Sequence, residues 1–162
     1  FGRNQKTMKK LMIFILSMPL FLSAADFGVG YSNFDIDLGD GDSVSLGAIA
    51  LTVGKTTEDG KFSGEFGIMV PAQDDKFDGI DVELKTAPYI RGMYHINENF
   101  FLSAGWMKLE AEVSYGGYRD SGSDTEGAIG IGVAIPLNND GEIRLIYENV
   151  DDADLVSVKY NF

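Results

Sequence analysis

From residue 27 to the end of the chain, apolar and polar side chains alternate with a period of two, and clusters of Gly, Asp and Asn interrupt the alternation at intervals. That is the pattern of half-buried β-strands joined by turns, and no stretch beyond residue 26 keeps a helical period. The clearest segment runs from Ile80 to Ile96. One face reads Ile80, Val82, Leu84, Thr86, Pro88, Ile90, Gly92, Tyr94 and Ile96, without a single charge. The other reads Asp81, Glu83, Lys85, Ala87, Tyr89, Arg91, Met93 and His95. As one strand it would span roughly 56 Å at about 3.3 Å per residue, more than a bilayer core, so it is expected to project on one side.

The other segments fall into order around it. Strands are expected at Phe27–Leu38, Val44–Thr56, Lys61–Pro71, Ile80–Ile96, Phe100–Tyr115, Ala128–Leu137, Glu142–Asn149 and Leu155–Phe162. Tight turns follow the second, fourth and sixth: Thr57-Glu58-Asp59-Gly60, Asn97-Glu98-Asn99 and Asn138-Asn139-Asp140-Gly141. The other connections include two longer loops, Ala72–Gly79 and Gly116–Gly127, and two short Asp-rich links, Gly39–Ser43 and Val150–Asp154. An even strand number with short turns on one side and longer loops on the other is the arrangement of a transmembrane barrel, with turns periplasmic and loops extracellular. The reading is therefore all-β: an eight-stranded antiparallel up-and-down transmembrane β-barrel.

A soluble barrel of the lipocalin kind has the same alternation but a polar exterior and an apolar cavity. Here the polar faces suit a narrow lumen filled by side chains. Ala128, Gly130, Gly132, Ala134 and Pro136 stand opposite Ile129, Ile131, Val133, Ile135 and Leu137, leaving room for long charged neighbours. The expected lumen network is Glu65, Glu83, Lys85, Arg91, Lys108, Glu110, Glu112, Arg144, Glu148 and Lys159. Three strands are less regular. Phe27, Val29 and Tyr31 share one parity and Phe34, Ile36 and Leu38 the other, which suggests a bulge near Asn33. The second strand leaves its outward face open between Leu46, Ala48, Ala50 and Ile49, Leu51, Val53. In the fifth, sending Lys108, Glu110 and Glu112 inward also sends Leu102 and Trp106 inward, so a slip near Trp106 is expected.

The beginning of the chain changes the picture of where this barrel goes. Met8-Lys9-Lys10, the apolar run Leu11–Leu22 and Ser23-Ala24-Ala25 form a secretory signal peptide over residues 8–25, too short in its apolar part for an ordinary spanning helix. Phe1–Thr7 precede that Met and read as upstream residues. Cleavage after Ala25 leaves the barrel, residues 26–162. It also removes Arg3, Lys6, Lys9 and Lys10, so nine basic side chains remain against 25 acidic ones, a formal charge of −16. Such a body is unsuited to nucleic acid, whose phosphates need clustered Lys and Arg. With no Cys, disulfides and thiolate metal sites are excluded.

The final segment is the most specific. Val156, Val158, Tyr160 and Phe162 alternate with Ser157, Lys159 and Asn161. An aromatic end with Tyr two residues earlier resembles the assembly signal of bacterial outer-membrane proteins, here Val158, Tyr160 and Phe162. With the strand count and the signal peptide, the chain resembles an OmpA/OmpX-type barrel of the broad porin-like family over residues 26–162. The resemblance implies residence in the outer membrane of a Gram-negative bacterium, contact with its lipid and lipopolysaccharide, and insertion by the barrel-assembly machinery. The sequence read here ends at the barrel, so a cell-wall tether of the OmpA kind is not expected. No extracellular ligand is named by the sequence.

Chemistry is sparse. His95 is the lone candidate general base; Ile96-Asn97 follow it, not the nearby Ser of lipid A deacylases, and it falls at the turn end, so no catalytic site is expected. The acidic loops (Asp35, Asp37, Asp40, Asp42; Asp74, Asp75, Asp78; Asp120, Asp124, Glu126; Asp151, Asp152, Asp154) offer hard oxygens, but their spacing completes no EF-hand. They read as a solvated, mutually repelling surface, with no metal and no cofactor. The functional reading is a structural or surface-interaction protein of the cell envelope. The alternative is a narrow porin-like channel for ions or small solutes, and third in order is a lipid A-modifying enzyme.

Overall fold

A computed structural model describes residues 25–39, 42–138, 140–151 and 153–162. The expected export segment lies outside the described residues except for Ala25, as do Asp40 and Asp152. Among the described residues ten strands follow one another: β1 (Asp26–Gly39), β2 (Asp42–Thr56), β3 (Phe62–Gln73), β4 (Asp75–Phe77), β5 (Ile80–Leu84), β6 (Ala87–His95), β7 (Phe100–Tyr115), β8 (Tyr118–Pro136), β9 (Glu142–Val150) and β10 (Ala153–Asn161). Eight of them, β1, β2, β3, β6, β7, β8, β9 and β10, pair antiparallel in chain order, and β10 closes on β1. The result is a closed eight-stranded barrel without sheet edges in its body. Phe27 and Phe162 complete the seam, each donating its N–H to the other's carbonyl at 3.2 and 2.8 Å.

The tight turns at one end are held locally. Thr57 donates its hydroxyl to Asp59, and Gly60 takes the positive φ of +69° that the return requires. The Asn97 side-chain oxygen accepts the N–H groups of Asn99 and Phe100, both at 2.9 Å.

At the other end the strands do not stop at the barrel rim. β5 continues the line of β6 along β7, β4 folds back on β5, and β8 follows β7 to its tip. The segment Gly116–Gly127, expected as a loop, is a hairpin: Tyr115 pairs with Tyr118, and Gly116-Gly117 make a two-residue turn with φ of +57° and +87°. Such a turn matches the twist of its strands and needs glycine at positive φ. Polar sequence concealed this strand, because Asp, Ser and Gly are poor strand formers and its pairing rests on β7.

The expected single strand Ile80–Ile96 is broken. Leu84 pairs with Ala111, but Tyr89 pairs with Met107, so one extra residue is accommodated around Lys85–Pro88. This is a bulge at a proline that cannot donate to the ladder. Facing reverses across it: Leu84 is buried on one side, Ala87, Tyr89 and Arg91 on the other. Near Asn33 there is no bulge. The register from Gly28–Asn161 to Ile36–Ala153 is continuous, and Phe34 is buried simply because the interior is apolar at that level. β7 likewise runs without a slip at Trp106, which faces outward while Met107 faces inward. On β2, Leu46, Ala48 and Ala50 point inward, Ile49 and Leu51 outward.

Outside, the barrel is apolar. Ile49, Leu51, Phe66, Ile90, Leu102, Ile129, Ile131, Leu145, Val156 and Val158 are all exposed. A surface like this around a closed barrel is what lipid contact requires.

Candidate functional site: a charged layer inside the barrel

The interior is layered. Nearest the tight turns lies a small apolar cluster of Met93, Phe101, Ala134 and Ile146. Toward the projecting end lies a larger one, which includes Phe34, Leu46, Met69, Leu84, Tyr89, Met107 and Leu155. Between them sit the charges. Arg91 spans the barrel: its Nη1 donates to Glu65 Oε1 at 2.5 Å, its Nε donates to Glu148 Oε1 at 2.8 Å, and its Nη2 completes a two-pronged pair with Glu148 Oε2. Lys159 donates to the other oxygen of Glu65. Arg144, one layer nearer the turns, lies 3.9 Å from Glu65 and is bound to Glu142. Its guanidinium also contacts Met93 Sδ at 3.6 Å and sits 6.0 Å from the Phe101 ring.

Local sequence makes room for these long side chains. Gly30 pairs with Lys159 and Gly130 with Glu148, and a Cβ at either glycine would meet the charged partner's Cγ at 2.6 Å. The guanidinium of Arg91 lies 4.9 Å from the Tyr89 ring, which separates the charged layer from the apolar one above it. Glu148 and Lys159 are 0% and 1% exposed. Three cations (Arg91, Arg144, Lys159) face three carboxylates (Glu65, Glu142, Glu148), so this layer is neutral as a set. That balance matters, because an unpaired charge at such burial costs several kcal/mol. A cavity of about 10 Å³ beside Glu65 and Arg144 leaves space for roughly one water.

Of the ten charged residues expected in the lumen, Glu65, Arg91, Arg144, Glu148 and Lys159 come together here. The other five do not. Glu83 and Lys85 are turned outward by the bulge that follows them; Lys85 lies 3.3 Å from Glu83 and 3.4 Å from Glu112 on the outside of the projecting sheet. Lys108, Glu110 and Glu112 share the outward parity of Trp106, since β7 has no slip to reverse it. Glu142 was missed, although it sits two residues before Arg144 on one strand face, and parity alone would have added it. His95 bonds Ser63 Oγ through Nε2 at 2.6 Å, at the turn end. Val158 and Phe162 are exposed and Tyr160 partly so, on the outside of β10, where the Tyr160 and Phe162 rings stack at 5.9 Å. Among the described residues no group of acidic or His side chains is arranged to hold a metal ion.

Ail, the attachment invasion locus protein of Yersinia pestis, superposes on this architecture with a TM-score of 0.59, covering 85% of this chain and 94% of that one at 16% identity. The two chains share the fold of a small closed β-barrel. The same protein in complex with the heparin analogue sucrose octasulfate gives 0.58, at 18% identity and the same coverage. Neisserial surface protein A gives 0.61 over 85% of this chain and 95% of that one, at 12% identity. No family model and no curated protein matches the sequence. What these structures share with the present chain is the closed eight-stranded wall.

Proposed function

We propose that this chain is an outer-membrane barrel of a Gram-negative bacterium with a structural or surface-interaction role, not an enzyme and not a conducting pore. The observation that carries the reading is the sheet β4–β5–β7–β8 standing beyond the rim of a barrel whose exterior is apolar and whose interior is filled. Among the described residues, Tyr118 to Thr125 on β8 have ladder pairing to β7 alone, because β9 begins its pairing at Ala128. At about 3.3 Å per residue this open edge is roughly 26 Å long. An unpaired edge is an offer of backbone hydrogen bonds to a partner in extended form. Tyr115 and Tyr118, both largely exposed, mark its tip. The names of Ail and of Neisserial surface protein A, one for attachment and invasion and one for the cell surface, agree with this role.

The same reading assigns partners along the wall. Exposed Lys108 stands two residues above Trp106 on the outward face, a cation for lipopolysaccharide phosphate. The outward Val158, Tyr160 and Phe162 are the residues the barrel-assembly machinery would read. Because the chain has no native Cys, orientation can be tested cleanly. Ser121→Cys is expected to react with a membrane-impermeant maleimide on intact cells, and Asp59→Cys only after the outer membrane is opened. The reverse pattern, or a mature protein recovered without detergent, rejects the proposal.

A further inference from the structure

The lipid-facing wall is not uniformly studded with side chains. In register, Lys55 pairs with Gly64, Gly64 with Gly92, Gly92 with Ala104 and Ala104 with Ile129. Gly64, Gly92 and Ala104 face outward, so their row forms the floor of a groove across β3, β6 and β7. One wall is the neighbouring row Phe66–Ile90–Trp106, and the other is Phe62–Tyr94–Leu102. A cavity of about 630 Å³ lies against the first wall and a second of the same size against Tyr94 and Leu102; both touch Gly92 and Ala104. These volumes fall in the range of small-molecule sites, and the linings named are apolar.

The groove has a direction and a charged mouth. Lys55 is next to the turn end of β2 and Gly64 is just inside β3, whereas Gly92, Ala104 and Ile129 lie progressively farther from that end. The row therefore climbs from the periplasmic rim toward the middle of the wall. Three strand spacings of about 4.8 Å place roughly 14 Å between Lys55 and Ala104. Lys55 is exposed and makes no ion pair among the described residues. Its outward neighbours are Phe27, Val53, Phe62 and Phe66, none of which can balance an ammonium. A cation held at an apolar wall reaches for the headgroup level, where phosphate is its counter-ion.

We propose that this groove holds one acyl chain of an anionic glycerophospholipid of the inner leaflet, with the lipid phosphate on the Lys55 ammonium. The site rests on the outer-membrane reading given above. The chain contains a single tryptophan, and it stands on the groove wall as Trp106, 64% exposed. It reports directly on which lipid tail lies beside it. Protein is reconstituted into phosphatidylcholine vesicles containing a minor fraction of brominated-tail phosphatidylglycerol, and separately the same fraction of brominated-tail phosphatidylcholine.

Brominated phosphatidylglycerol is expected to quench Trp106 more strongly at equal mole fraction. Lys55→Gln should abolish that excess while leaving quenching by brominated phosphatidylcholine unchanged. Gly92→Leu should remove it by filling the floor; a Cβ at Gly92 meets nothing closer than 3.8 Å and one at Gly64 meets nothing within 4 Å, so the barrel tolerates the added bulk. Equal quenching by the two lipids, or an excess that survives Lys55→Gln, overturns the site. No quenching by any brominated lipid overturns the membrane reading itself, which separates the two failures.

Discussion

Arg91 on β6 and Glu148 on β9 meet across the barrel interior through two parallel hydrogen bonds, although two further strands, β7 and β8, separate them along the wall. The pair thus braces opposite sides of the cylinder. Its planar fork-to-fork geometry is one that lysine could not reproduce. Arg91→Ala leaves Glu148 and one oxygen of Glu65 buried without a partner and is expected to cost about 3–5 kcal/mol. Arg91→Lys should recover only part of that. Urea unfolding in lipid vesicles measures both, and an Arg91→Ala barrel as stable as wild type would show that the brace contributes nothing.

The filled interior bears on conduction. Planar-bilayer recording of refolded wild-type protein is expected to show no large, stable conductance, because the charged layer is capped by apolar clusters on both sides. Arg91→Ala should raise the frequency of small openings. A steady wide conductance from wild type would restore the channel reading.

Two glycines test how tightly the wall is packed against its contents. A Cβ at Gly130 would meet the Tyr147 carbonyl oxygen at 2.0 Å, whereas at Gly64 it would meet nothing within 4 Å. Gly130→Ala is expected to destabilise by about 1–3 kcal/mol, as overpacking does. Gly64→Ala should stay within about 0.5 kcal/mol of wild type. Equal effects in the same unfolding assay would refute the inward assignment of Gly130.

The outward face can be tested with one charge. Ile131 is 60% exposed near the middle of Ala128–Pro136, the part of β8 that pairs on both sides. Ile131→Arg should cost about 2–4 kcal/mol in a bilayer, the penalty of an Arg at the midplane of a lipid-facing wall. If the variant folded into vesicles as readily as wild type, lipid would not be what Ile131 meets.

Acid should loosen one anchor of the projecting sheet. The half-buried Asp75 carboxylate accepts the Ser45 N–H at 2.9 Å and the Lys76 N–H at 2.8 Å, and these two bonds hold its pKa below the usual carboxylate value. A carboxyl depressed in the folded state contributes stability above its unfolded pKa and loses it as pH falls through the folded one. Protection of the Ser45 amide against hydrogen exchange should therefore drop only in strong acid, and be low at every pH in Asp75→Ala. Protection independent of pH in wild type would mean that Asp75 does not hold β4 to β2.

Strand number, closure and most strand bounds were legible because alternation is enforced wherever one face meets lipid. Phe100–Tyr115 coincides with β7, and strand two lacked only a facing, since both of its faces are apolar. The interior was harder to read. The ten charges expected in the lumen included Lys108, Glu110 and Glu112, yet these lie outside because β7 passes the rim into water, where outward charge costs nothing. Phe34 looked displaced because a polar lumen was assumed throughout; the interior changes from charged to apolar along its axis. Glu83 and Lys85 depended on one bulge, and an alternating string carries no mark of a residue that shifts its own phase.

The charged layer has a consequence for how the barrel comes into being. Its members belong to β3, β6, β9 and β10, and the partners are far apart along the chain: 26 residues for Arg91 and Glu65, 57 for Arg91 and Glu148, 94 for Lys159 and Glu65. Arg144 and Glu142 pair within β9, but no single hairpin brings Glu65, Arg91, Glu148 and Lys159 to one another. An intermediate with only the first strands inserted carries Glu65 and Arg91 with half their partners missing, and one lacking β10 leaves Glu65 without Lys159. Half-built cylinders are therefore held at high energy until the last strand arrives, so the electrostatics act as a closure check that favours the complete ring over every open precursor.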